Sequence, residues 1–128
     1  MAYTVDYFLD KFEKIPEEHW CMGRFAFTND KGESVHCVMG HCGELSYSPG
    51  GYSWGEEAQA LNIHLQQQAV TINDGGTIYY DVRDENITAD IFGNTPKKRI
   101  LKALQLVKEG VSISGYAREY AALKPKQY

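Results

Sequence analysis

The chain has 128 residues, 43% of them hydrophobic and 23% charged, which is the composition of one globular domain and excludes a disordered segment. A net charge of −4 argues against a general nucleic-acid binder, and no apolar run is long enough for a membrane span. The first residues lack the basic and apolar regions of a signal peptide. We therefore expect a single cytoplasmic domain over residues 1–128, with reduced cysteines and without membrane association.

A helix is predicted at the start of the chain. Thr4 is a favourable N-cap, and Pro16 prevents the helix from continuing beyond residue 15. Phe8 and Phe12 recur at helical spacing and are expected to lie on the buried face.

The next segments are predicted less directly. Residues 24–28 alternate as in a strand, and residues 29–32 have the composition of a turn. Residues 34–45 fit either the returning strand of a hairpin or a short helix, and the helix is the favoured interpretation. Residues 46–55, rich in glycine and serine, predict a loop.

A capping box and a hairpin are predicted in the middle of the chain. Ser53 and Glu56 have the spacing of a capping box, which predicts a helix over residues 54–68. Residues 70–73 and 77–82 read as two strands joined by a tight glycine turn.

The last predicted helix begins at Thr95-Pro96 and stops at Gly110, and residues 124–128 are expected to fray. The whole pattern predicts a small single-domain α+β fold, with three to five helices packed with a short antiparallel hairpin or small sheet. The side chains expected in the core are Phe8, Phe12, Leu61, Leu65, Ile72, Ile100, Leu101 and Leu104.

Cysteine and histidine cluster in the first third of the chain. Cys21, Cys37, His41 and Cys42 form one alternative metal site, but their spacing matches no standard zinc pattern. Because cysteine is among the most buried residue types, we favour structural cysteines and predict no metal or other cofactor.

A thiol enzyme is a second alternative. Cys37 would be the nucleophile, with His41 or His64 as its base and Asn73 or Asp74 orienting that base. No local signature supports this arrangement, so a non-enzymatic protein remains the favoured interpretation.

Three cations occupy the first turn of the last helix, where acidic residues are more usual. Thr95 would cap this helix, and Lys97, Lys98 and Arg99 would join its free amides in binding a phosphate group. Solvated side chains are the equally weighted alternative.

Aromatic residues on the glycine-rich loop are candidates for binding a planar ligand. Tyr47, Tyr52 and Trp54 lie within eight positions of one another and could stack on a base. With the phosphate site, they would suit a nucleotide-like small molecule.

Four short motifs resemble those of a family of small bacteriophage and prophage proteins of unknown function. They are Trp-Cys-Met-Gly at 20–23, Cys-Val-Met-Gly-His-Cys-Gly at 37–43, Ile-Asn-Asp-Gly at 72–75 and Thr-Pro-Lys-Lys-Arg-Ile-Leu at 95–101. The resemblance covers roughly residues 4–109 and implies a phage accessory protein in a bacterial host cell. It assigns no catalytic residue.

These observations favour a phage-encoded, non-enzymatic binding protein. The narrower hypothesis is an anti-defence protein that sequesters a nucleotide-derived immune signal. The alternatives are the Cys37-dependent enzyme and an inhibitor that binds a host protein through its aromatic surface. Whether the chain forms a homo-oligomer is left open.

Overall fold

The structure is a computed structural model that describes residues 3–43, 46–49, 51–80 and 85–110, with the backbone alone at 46–48, 51, 52, 79, 80, 85 and 86. Its α-helices are α1 (Val5–Glu13), α2 (Val38–His41), α3 (Glu56–His64), α4 (Ala69–Asp74) and α5 (Pro96–Lys108). Its strands form three antiparallel pairs: β1 (Ala26–Thr28) with β2 (Ser34–His36), β3 (Ser46–Ser48) with β4 (Gly51–Ser53), and β5 (Thr77–Tyr80) with β6 (Glu85–Thr88). The predicted small α+β fold is confirmed.

The first helix forms as its sequence predicts. The Thr4 hydroxyl accepts a hydrogen bond from the Tyr7 amide at 3.1 Å, which caps the helix. Phe8 and Phe12 are fully buried, with ring centroids 5.7 Å apart. Helix α1 packs against α5, so this aromatic pair anchors the contact between the two ends of the described chain.

The last helix is also confirmed. The Thr95 hydroxyl accepts from the Lys98 amide, Pro96 occupies the first turn, and Gly110 adopts a left-handed φ of +88° beyond the helix end. Seven of the eight predicted core residues are fully buried, whereas Leu101 is only partly buried against the core. The tail expected to fray, residues 124–128, lies outside the described residues.

The segment 70–73 was expected to be a strand and is instead part of helix α4. This helix ends at Gly75, which has a φ of +77°. Burial of Ile72 and Asn73 against α2 and α5 outweighs the strand preference of Val, Thr and Ile, which is weak when tertiary contacts oppose it. Strand β5 is confirmed, but its partner is β6.

Segment 34–45, for which a strand and a short helix were both considered, contains one of each. Its first residues form strand β2, and the helical interpretation holds only for the four residues of α2. Segment 46–55 is not a simple loop, because β3 and β4 form a hairpin there with Tyr47 in register with Tyr52.

The predicted capping box at Ser53 is wrong. The N-cap of α3 is Gly55, and no side chain caps the helix. Helix α3 also ends at His64 rather than near residue 68, because Gln66 and Gln67 adopt left-handed φ values of 54° and 68°. No helix in the described part of the chain is long and apolar enough to cross a membrane.

Candidate functional site

Arg99, expected to bind phosphate, is used inside the fold. Its side chain is buried, and Nε donates to Ile72 O at 3.0 Å while an Nη donates to Asn73 O at 2.7 Å. The other Nη donates to Gly93 O at 3.2 Å. These carbonyls include the last turn of α4, so the guanidinium joins α4 to α5 and is not available to an external anion.

The rest of the expected anion site has internal partners as well. The Thr95 hydroxyl donates to Glu17 Oε1 at 3.0 Å, so a carboxylate already lies at the start of α5. Lys97 Nζ donates to Glu13 O at 2.9 Å, and Lys98 supplies the capped amide. A carboxylate at a helix N-terminus satisfies its partial positive charge and opposes a second anion. The four predicted residues therefore do not form a shared phosphate pocket.

Asn73 was considered as the orienting group of a thiol enzyme. Its side chain instead forms buried hydrogen bonds that join three segments of the fold. It is fully buried, and its Oδ1 accepts from Val38 N at 3.0 Å. Its Nδ2 donates to Cys21 O at 2.8 Å and to Asp74 Oδ1 at 2.9 Å. The side chain thereby ties α4 to the start of α2 and to the segment before β1. Its Oδ1 and both hydrogens of Nδ2 bond groups of the fold and do not orient a histidine.

The Cys37 thiol lacks the surroundings of a nucleophile. It is 3% exposed, and burial raises its pKa, so the neutral thiol is favoured. His41 Nε2 is buried without a hydrogen-bond partner, and His64 Nε2 lies 2.8 Å from Tyr3 O. Neither of these ring nitrogens is bonded to Cys37, so the predicted cysteine–histidine pair is not formed.

The metal alternative is also not supported by the geometry. Cys21, Cys37 and Cys42 are free and buried, and burial raises the pKa of Cys42 to about 12. Cys21 Sγ donates to Arg24 O at 3.3 Å. Among the residues that the structure describes, no three His, Cys, Asp or Glu side chains are placed to hold a metal ion. The cysteines act as small hydrophobic side chains of the core.

The lowered pKa of His41 makes the stability of the fold depend on pH. Burial, with a smaller contribution from His36, lowers its pKa from 6.5 to about 4. Between these pH values the unfolded chain binds a proton that the folded protein does not. The free energy of unfolding is therefore expected to fall as pH drops from 6.5 towards 4, by roughly 2 kcal/mol from this residue.

Urea denaturation at several pH values tests this expectation, with His41→Phe as the matched variant. Phenylalanine keeps the aromatic packing on Trp20, whose centroid lies 4.7 Å from the His41 ring. The variant is expected to lose the part of the pH dependence that His41 contributes, about 2 kcal/mol between pH 6.5 and 4. An unchanged dependence would assign the effect to other groups.

Exposed apolar side chains line a pocket beside the β1–β2 hairpin. Phe25 and Val70, which line it, are 48% and 41% exposed, and Met22, which precedes the lining residue Gly23, is 52% exposed. The pocket has a volume of about 260 Å³ and is lined by Gly23, Arg24, Phe25, Cys37, Val70 and Asp74. Its surface thus combines apolar walls with one cation and one carboxylate, while the buried Cys37 contributes little accessible area.

A second pocket, of about 380 Å³, lies on the other side of an aromatic contact from the first. The rings of Phe25 and Trp54 meet edge-to-face with centroids 5.0 Å apart. Phe25 lines the first pocket, and Trp54 lines the second together with Ile63, which is 66% exposed. We call Met22, Phe25, Trp54, Ile63 and Val70 the apolar face.

The sequence prediction found only one residue of this face. Trp54 was predicted as a ligand-binding aromatic, whereas the side chains of Tyr47 and Tyr52 lie outside the described part of the structure. Phe25 belongs to the predicted strand at residues 24–28, which could have suggested an exposed apolar edge, whereas Met22 lay outside every predicted element. Val70 was hidden by the incorrect strand assignment, because exposure on a helix follows a different period from exposure on a strand.

Comparison of the chain with protein-family models, with curated proteins and with solved structures finds no match.

Proposed function

We propose that this chain is a non-enzymatic binding protein that recognises a partner protein through the apolar face. The observation that carries the proposal is the concentration of exposed apolar area on one surface. Within the described ranges, three of the six exposed large hydrophobic side chains line the two pockets of this face: Phe25, Ile63 and Val70. Contiguous apolar patches are typical of interaction sites, whereas single exposed hydrophobic residues are ordinary.

The shape and composition of the face support a protein partner. Aromatic, methionine and arginine side chains are enriched in protein interfaces, and binding energy concentrates where such anchors fill pockets. The aromatic contact between Phe25 and Trp54 links two pockets, each able to receive a side chain of a partner. A surface of this kind suits a partner with two protruding apolar residues.

Two charged residues at the first pocket favour a specific orientation of the partner. Arg24 and Asp74 both line it. Asp74 Oδ1 is already held by Gly23 N and Asn73 Nδ2, at 3.3 and 2.9 Å, so the carboxylate is fixed in place. Charges at the edge of an apolar interface contribute mainly to specificity and association rate.

The motif resemblance extends this proposal to a biological setting. It favours a host protein of a bacterial cell as the partner, and hence an anti-defence inhibitor encoded by a phage. Sequestration of a nucleotide-derived signal has less structural support, since Arg99 serves the fold and a carboxylate lies at the start of α5.

A comparison of matched surface variants tests the proposal. Wild-type protein, Val70→Asp and Ile91→Asp are immobilised, exposed to bacterial lysate, and their bound proteins are quantified by mass spectrometry. Val70 and Ile91 are exposed to similar extents, 41% and 49%, but only Val70 belongs to the apolar face. Aspartate near the start of α4 is favourable to the helix dipole, so the Val70 variant should fold.

The expected result is at least one protein that wild type and Ile91→Asp retain and Val70→Asp loses, and that forms a stoichiometric complex when purified. Equal retention by all three proteins would contradict the proposal. A bound small molecule found by native mass spectrometry and lost in Lys97→Glu/Lys98→Glu would instead support nucleotide capture.

A further inference from the structure

Strand β1 has one edge without a partner. Phe25 O accepts from Cys37 N at 3.0 Å, and Asn29 N donates across the hairpin at 3.0 Å, so these alternate residues face β2. The backbone groups of Ala26 and Thr28 consequently point away from β2. They have no hydrogen-bond partner in the part of the chain that the structure describes.

The opposite edge of this small sheet is already covered. Trp20 forms a parallel bridge with His36, and Cys21 N donates to His36 O at 3.0 Å. The free edge of β1 also carries no proline or lysine within the strand, the residues that commonly prevent pairing between sheet edges. It is therefore the open side of the sheet.

An incompletely covered side chain lies at the centre of this edge strand. Phe27 is directly opposite Val35 in the β1–β2 register, so both residues lie on the same face of the sheet. Val35 is 1% exposed, whereas Phe27 is 38% exposed. Val35 and Phe27 thus form an apolar row across the sheet, and no strand covers Phe27 on the free side of β1 in the described part of the chain.

We infer that β1 pairs antiparallel with β1 of a second copy of this chain, forming a dimer with a four-stranded sheet. A three-residue strand overlaps fully with its own copy in one antiparallel register. In that register Ala26 pairs with the second copy's Thr28 through the free backbone groups, and Phe27 faces the second copy's Phe27 across the two-fold axis. The apolar row then runs from Val35 to the second copy's Val35.

The charges beside the strand are complementary in the same register. Two residues beyond Ala26 and Thr28, in the bend and the turn that flank β1, Arg24 of one copy comes near Asp30 of the other, and symmetry repeats this contact. Both residues are exposed, and neither has an ion pair among the described residues. The Arg24 guanidinium lies 5.0 Å from the Phe27 ring centroid, which places the cation beside the proposed axis.

Sedimentation velocity over a wide range of concentrations tests the dimer. Thr28→Pro removes an amide that does not bond β2, and it is expected to raise the dimer dissociation constant at least about tenfold. Thr28→Val, which keeps the amide, is the matched control and should dimerise as wild type does. Circular dichroism establishes that each variant is folded.

Charge reversal gives a second test that a folding defect would not imitate. Arg24→Asp and Asp30→Arg each place like charges opposite each other in their own dimers, so each alone is expected to be mainly monomeric. A mixture of the two variants restores opposite charges at both contacts and is expected to form a heterodimer. Wild type that stays monomeric at every concentration, or a mixture no more associated than its components, would overturn the inference.

Discussion

Replacing Arg99 with alanine is expected to lower the free energy of unfolding by about 5 kcal/mol. The guanidinium donates to the carbonyl oxygens of Ile72, Asn73 and Gly93, all within 3.3 Å. Removal of the side chain leaves Asn73 O and Gly93 O without a donor and opens a cavity between α4 and α5, whereas Ile72 O keeps its hydrogen bond from the Gly75 amide. Chemical denaturation measures the change, and Lys102→Ala, an exposed site on the same helix, should change stability by less than about 0.5 kcal/mol.

Arg99→Lys separates charge from geometry. Burial lowers the pKa of Arg99, while the carboxylates of Asp74 and Asp90 oppose that shift. Lysine keeps a cation but lacks the planar fork that reaches several carbonyls at once, so an intermediate loss of stability is expected. A loss of stability for Arg99→Ala as small as that for Lys102→Ala would show that the buried guanidinium does not hold the helices together.

Replacing Asn73 with leucine is expected to lower the free energy of unfolding by about 4 kcal/mol. Leucine has a similar volume but leaves Val38 N and Cys21 O buried without their partners. The first of these groups is at the start of α2, so the variant should also loosen the core around Val38 and Met39.

Denaturation and amide hydrogen exchange together test the Asn73 prediction. Faster exchange at Val38 is expected in the variant, because its amide loses the acceptor. Asn94→Ala, on an exposed residue, is the control and should leave both measurements nearly unchanged. Wild-type exchange at Val38 in Asn73→Leu would contradict the assigned hydrogen bond.

The elements predicted correctly are those whose signals are local. Thr4 and Thr95 each accept the hydrogen bond of a helix cap, as their positions in the sequence indicated. The apolar stripes of α1 and α5 place Phe8, Phe12, Ile100 and Leu104 in the core for the same reason, since helical period and burial agree there.

The elements predicted incorrectly depend on contacts distant in sequence. Residues 70–73 contain three β-branched residues, yet the segment is helical because Asn73 and Ile72 meet partners from residues 21, 38 and 99. No local pattern shows that these partners converge, so a propensity argument fails at this position.

The candidate site could not be predicted from charge alone. Lys97, Lys98 and Arg99 are consecutive cations, but helical geometry turns Arg99 inward while Lys98 stays exposed. The apolar face joins residues from the first hairpin, α3 and α4, which are distant in the chain. Its existence follows from tertiary packing, and only Trp54 was expected to bind a ligand.

The most direct test of the central claim, recognition through the apolar face, is the dissociation constant of the reconstituted complex with the captured partner. Isothermal titration calorimetry should show Val70→Asp binding about 100-fold more weakly than wild type, the effect typical of a central interface residue. Ile91→Asp should bind with wild-type affinity. Equal affinities for wild type, Val70→Asp and Ile91→Asp would contradict recognition through the apolar face and would show that the partner binds another surface of the protein.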